Sequence, residues 1–118
     1  MRILILEDNP NDVQLIRYSL RGLEYTSLLV ATEKAFLDAL EERWDIILAD
    51  YNLPQYNALL ALNEPKFTTL RIPMIIVTGF LQEDSMTTLI NLGAQGFIVK
   101  SDLTLLPQMI QRVTSNGR

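Results

Sequence analysis

Five short apolar runs, each followed by a stretch with helical spacing, constrain this chain more than any other feature of it. Trp44–Ala49 reads as a short strand buried on both faces and Arg2–Leu6 (RILIL) as a buried strand, with Ser27–Val30, Met74–Val77 and Phe97–Val99 as further short strands. Asn9 is placed to cap a first helix with Pro10 at its opening position. Val13, Ile16 and Leu20 then recur on one side, and Gly22 suits the C-terminal cap. Thr32 is placed to cap a second helix carrying Ala35, Phe36, Ala39 and Leu40. Asn57 caps a short third, to about Leu62, which Pro65 limits; residues 63–73 are expected to form a loop. Glu83 and Asp84 open a fourth helix, where acids suit the dipole. Met86, Leu89 and Ile90 are its expected buried stripe, and Gly93 ends it. Thr104 caps a fifth, with Pro107 in its first turn and Leu106, Ile110 and Val113 as core. The pattern is (βα)5, an α/β fold: a doubly wound parallel sheet with helices on both faces and right-handed crossovers. Strand order 2-1-3-4-5 suits five such units. The chain then reverses direction between strands one and three, where open α/β sheets bind ligands.

At 118 residues, with 48% hydrophobic and 20% charged side chains, a single domain over residues 1–118 with its own core is expected. There is no cysteine, which excludes disulfides and thiolate metal sites. There is no histidine, so any imidazole in the mechanism must come from another chain. The net charge of −4 argues against direct nucleic-acid binding. No apolar run approaches membrane-spanning length, and acids follow the first apolar run too closely for a signal peptide; a cytoplasmic domain is expected.

Four of the five strands end in a polar residue: Glu7-Asp8 after the first, Asp50 after the third, Thr78 after the fourth and Lys100 after the fifth. Asp50 lies in WDIILADYNLP, where Asn52 and Pro54 turn the chain away. Strands one and three flank the reversal, so Glu7, Asp8 and Asp50 are expected in one crevice. Three carboxylates there repel unless a cation joins them. All are hard oxygen ligands, so Mg²⁺ is the expected ion, with water and a backbone carbonyl (that of Asn52) completing its shell. Thr78 and Lys100 approach from the other side and are useful if the site also receives a dianion. Lys100 would neutralise phosphoryl oxygens, while Thr78 and the backbone N–H groups at Asn52 and Gly79 would donate hydrogen bonds. Asp50 is then the carboxylate nucleophile that accepts the phosphoryl group.

The whole chain resembles a response-regulator receiver domain of two-component signalling, chemotaxis-regulator-like, with a flavodoxin-like fold. The matching residues are Glu7-Asp8, Asp50 within DYNLP, Thr78 within IIVTG and Lys100 within GFIVK. The resemblance implies Mg²⁺-dependent transfer of phosphate to Asp50 from a histidine kinase or histidine phosphotransfer protein, which fits a chain without histidine. It also implies a switch, in which the Thr78 hydroxyl turns toward the new phosphate and Phe97 moves inward behind it. The face of helix four, strand five and helix five then changes its affinity for a downstream protein. Such a domain catalyses only its own phosphorylation and dephosphorylation. No effector follows residue 118, which leaves both a stand-alone regulator and a receiver taken from a larger hybrid protein open.

Three positions depart from the family pattern. Ala58 replaces the usual small glycine at the start of helix three. Ser101 replaces the proline that commonly follows the lysine, so a trans bond is expected there. Phe80 stands two residues after Thr78, where a polar side chain is common, and is read as a shield of the acyl phosphate against water. Taken singly, each key position has an ordinary use. Asp50 suits a turn, Glu7-Asp8 a helix start, Thr78 a strand and Lys100 a solvated edge; their joint occurrence at successive strand ends singles them out. For Phe97, a plain core role and a switching role both stand. Trp44 is read as structural, roughly 20 Å from Asp50 by strand rise. Competing functions are a phosphate-independent binding module, an aspartyl phosphatase and a flavodoxin. Asn52 lacks the general acid that the phosphatase needs, and Glu7 and Asp8 would repel a flavin phosphate.

Overall fold

The computed structural model describes residues 1–80 and 83–116. Its five strands are β1 (Arg2–Leu6), β2 (Thr26–Val30), β3 (Ile46–Ala49), β4 (Met74–Thr78) and β5 (Gly96–Val99). They form one sheet in the order β2-β1-β3-β4-β5, and every pairing is parallel. The helices are α1 (Pro10–Ser19), α2 (Glu33–Ala39), α3 (Ala58–Leu62), α4 (Pro65–Leu70), α5 (Glu83–Asn91) and α6 (Leu106–Asn116), with a 3₁₀ segment, Lys100–Leu105, ahead of the last. The expected fold and strand order are the ones observed.

Alternation along the strands splits the core into two layers. On one face Leu4, Leu6, Ile47, Ala49, Met74 and Ile76 pack against Phe36 of α2, Leu62 of α3 and Leu89 of α5. On the other, Ile3, Ile5, Leu48 and Val77 meet Ile16 of α1 and Leu106, Ile110 and Val113 of α6. The last three are core, as the spacing predicts.

The caps at Asn9, Thr32 and Asn57 form as expected. Asn9 Oδ1 accepts from the backbone N–H of Asn11 (2.9 Å), Thr32 Oγ1 from Ala35 (3.1 Å) and Asn57 Oδ1 from Leu60 (3.1 Å). Gly93, at φ 112°, ends α5 in the left-handed region.

Four local expectations need correction. Residues 65–70, expected within a loop, form α4: a proline closes the helix before it but opens a new one, because the first position needs no N–H donor. Phe67 anchors α4 in the core, and Lys66 Nζ donates to the Leu37 carbonyl at 2.9 Å. Helices four and five of the sequence reading are therefore α5 and α6. The α5 stripe is narrower than expected, with Leu89 buried, Met86 only partly so and Ile90 54% exposed. Thr104 does not cap α6, because it lies inside the 3₁₀ segment. At the first helix the C-terminal cap is Leu20, ahead of Gly22. No cis peptide bond occurs among the described residues, so the bond into Ser101 is trans.

Candidate functional site

Register brings the candidate residues together. Leu6 pairs with both Val30 and Ala49, and one step further the ladder continues. Glu7 N–H donates to the Val30 carbonyl and Asp50 N–H to the Leu6 carbonyl, each at 3.0 Å. Glu7 and Asp50 thus leave the sheet side by side, 1% and 5% exposed. Thr78 ends β4 fully buried, and Lys100 follows β5 as the first residue of the 3₁₀ segment.

Lys100 joins the group. Its Nζ donates to Asp50 Oδ2 at 2.7 Å and to Asp12 Oδ2 at 2.6 Å, and lies 2.8 Å from Glu7 Oε1 in an ion pair. The Glu7 contact falls outside hydrogen-bond geometry, which leaves Glu7 Oε1 buried without a hydrogen-bond partner. Its other oxygen, Oε2, accepts from the N–H groups of Asp8 (3.0 Å) and Asn9 (3.2 Å). Burial pushes the Glu7 carboxyl above its ordinary value, and Lys100 only partly opposes it. Burial alone would lower Lys100; the carboxylates of Asp12, Asp50 and Glu7 outweigh it and raise the ammonium above its ordinary range.

A second group adjoins the first. The backbone N–H of Asn52 donates to Asp50 Oδ1 at 2.9 Å, a local turn that orients the carboxylate. The Asn52 amide nitrogen donates to Thr78 Oγ1 at 2.5 Å and to the Phe80 carbonyl at 3.2 Å. Gly79 is exposed, with open space where a Cβ would stand. The Phe80 ring is 69% exposed, so its carbonyl is the part that contacts the site. Phe97 is partly buried against the core layer that holds Ile76.

Glu7, Asp50, Thr78, Lys100 and Asn52 therefore converge as the sequence suggests. Asp8 is exposed, and the three carboxylates that approach within 4.8 Å of one another are Glu7, Asp12 and Asp50. Asp12 was not singled out in the sequence, although an acid in the first turn of a helix leaving β1 was a usable signal. Three carboxylates against one ammonium leave the pocket negative, and Glu7 Oε1 lacks a donor. The all-oxygen donor set fits a hard divalent cation.

Comparison with known proteins decides the family. The family model "Response regulator receiver domain" matches residues 3–111. The chain belongs to this family. As a receiver of a two-component response regulator, it is 23% identical over 118 residues to the transcriptional regulatory protein ZraR of Salmonella typhimurium, covering 98% of this chain and 27% of that one. It is 30% identical over 122 residues to the swarming motility regulation protein RssB of Serratia marcescens, covering all of this chain and 53% of that one. The chain thus spans about a quarter to a half of these relatives. Among solved structures it is similar to the receiver domain of sensor histidine kinase PA1611 from Pseudomonas aeruginosa PAO1, which has a magnesium ion coordinated in its active-site cleft. That similarity is 28% identity with a TM-score of 0.80, over 97% of each chain. A CheY-like receiver from Methanospirillum hungatei shares the fold at a TM-score of 0.82 and 24% identity, over 98% of this chain and 94% of that one. No helix among the described residues is long and apolar enough to cross a membrane.

Proposed function

We propose that this receiver accepts a phosphoryl group on Asp50 from the phosphohistidine of a kinase or phosphotransfer protein and so changes its affinity for a downstream protein. The observation that carries this reading is the convergence of Lys100 Nζ on Asp50 Oδ2 at 2.7 Å beside the buried Glu7 carboxylate. A carboxylate oxygen of Asp50 attacks phosphorus, the bond from phosphorus to the donor's imidazole nitrogen breaks, and the imidazole leaves as its proton is restored. Lys100 faces the new phosphoryl oxygens, and Thr78 and the N–H groups of Asn52 and Gly79 are its hydrogen-bond donors. A divalent ion such as Mg²⁺, held by Glu7, Asp8, Asp12 and Asp50 with the Asn52 carbonyl, would supply further charge neutralisation to the phosphoryl oxygens.

Phosphorylation adds nearly two negative charges. Thr78, drawn toward them, leaves room behind it for Phe97, and the face of α5, β5 and α6 is the output surface. Residues 1–118 form one receiver domain, which acts in the cytoplasm without turnover of an external phosphoester and itself makes no direct contact to nucleic acid or membrane. The test is incubation with acetyl phosphate and Mg²⁺. Wild type gains the mass of one phosphoryl group and Asp50→Asn does not. Wild type without that gain would refute the reading and favour a phosphate-independent binding module.

A further inference from the structure

Lys100 has three N–H donors and faces three carboxylates. Its hydrogen bonds go to Asp12 and Asp50, and a phosphoryl group arriving on Asp50 brings oxygens that compete with these carboxylates for the ammonium. The three differ in what release costs. Asp50 gives up its carboxylate charge to the acyl phosphate it becomes, and at Glu7, 1% exposed, water cannot replace the ammonium without opening the pocket. The Asp12 side chain is 25% exposed, on the first turn of α1, and can be rehydrated where it stands. It also comes from an element separate from the strands that carry the acceptor and the lysine, 88 residues away from Lys100 in sequence.

We propose that Asp12 is a resident counter-ion, a positioning residue that holds Lys100 in the resting receiver and is displaced from it by the phosphoryl group. Asp12 has two effects of opposite sign. Its charge draws a divalent cation into the pocket, and its hold on Lys100 competes with the phosphoryl oxygens. This inference rests on the phosphoryl-acceptor reading above.

The experiment is calorimetric titration of wild type, Asp12→Asn, Asp12→Glu and Glu24→Gln, first with Mg²⁺ alone and then with beryllofluoride at saturating Mg²⁺. Glu24 is exposed and remote in sequence from the site residues, so its variant controls for net charge. Asp12→Asn is expected to bind Mg²⁺ more weakly than wild type. It should bind beryllofluoride about five-fold more tightly, which is about 1 kcal/mol at 1.4 kcal/mol per tenfold. Asp12→Glu, which keeps the charge, is expected to lie near wild type in both titrations, and Glu24→Gln to match wild type. A merely structural role in α1 would weaken both ligands together. If wild type binds beryllofluoride and Asp12→Asn binds it equally or less well, or if Glu24→Gln shows the same gain, Asp12 is not the exchanged counter-ion and the acceptor reading survives. If wild type binds none, the acceptor reading falls and takes this inference with it.

Discussion

Replacing Lys100 by methionine tests the electrostatic logic of the pocket directly. Among the described residues no other cation contacts Glu7, Asp12 or Asp50. Removing one partner of a buried ion pair costs about 3–5 kcal/mol, because the remaining charge is left uncompensated. The Lys100 side chain is 15% exposed and Asp12 is partly solvated, so the cost is discounted to about 2–3 kcal/mol near neutral pH. With a urea dependence of about 1.5 kcal/mol per molar, the unfolding midpoint falls by about 1.3–2 M. The pH-dependent part of the penalty arises from the ionised Glu7 carboxylate, which burial raises above its ordinary value. That part is absent below the ordinary value of 4.5 and grows as pH rises from there through the raised folded value. The assay is urea unfolding in a chelator, followed by Trp44 emission, at about pH 7 and about pH 4. Saturating Mg²⁺ should restore more stability to the variant than it adds to wild type, since a cation then replaces the missing ammonium. A variant as stable as wild type near pH 7, or a penalty unchanged near pH 4, would refute the reasoning.

Glu7→Gln should flatten the pH dependence of stability in metal-free protein. Burial raises the Glu7 carboxyl, so wild type loses stability as pH rises from the ordinary value of 4.5 through the folded value, and thermal unfolding across that window checks whether the slope persists in the variant. The same substitution should weaken Mg²⁺ binding, measured by calorimetry. Trp44 emission should not change on Mg²⁺ saturation, because its Nε1 donates to the Ala39 carbonyl (2.7 Å) and its ring lies under the Arg2 guanidinium (4.5 Å), at the opposite end of the sheet; a large response would relocate the metal. Because the Phe80 ring is exposed and only its carbonyl reaches the site, Phe80→Glu should leave the lifetime of the phosphorylated form unchanged, followed by loss of the added mass, and a shortened lifetime would restore the shielding role read from the sequence.

What could be read from the sequence was whatever a strand end announces. Glu7, Asp50, Thr78 and Lys100 are each the first polar residue or the terminal hydroxyl of a buried apolar run, and parallel register then makes them neighbours. Asp12 needed more, because the angle at which α1 leaves β1 is set by packing of Val13 and Ile16, not by local spacing. Glu7 and Asp8 look equivalent as letters. Consecutive residues at a strand end face opposite ways, and one is buried while the other is exposed. Pro65 is compatible with either ending or starting a helix, and only the burial of Phe67 resolves it. The width of the buried side of α5 likewise depends on how closely neighbours approach Ile90, which periodicity does not encode.

On the proposed mechanism, one amide helps to set how quiet this receiver is before it is phosphorylated. Asn52 gives its side-chain nitrogen to both the Thr78 hydroxyl and the Phe80 carbonyl, so the end of β4 and the loop beyond it are bolted at one point. On the proposed mechanism Thr78 cannot turn without giving up its share of that bolt. The one bond Thr78 gives up contributes about 0.5–1.5 kcal/mol, which biases the resting molecules toward the unturned hydroxyl by about two- to thirteen-fold. The leak of such a switch would thereby be written into a residue outside both the proposed acceptor and the proposed output face.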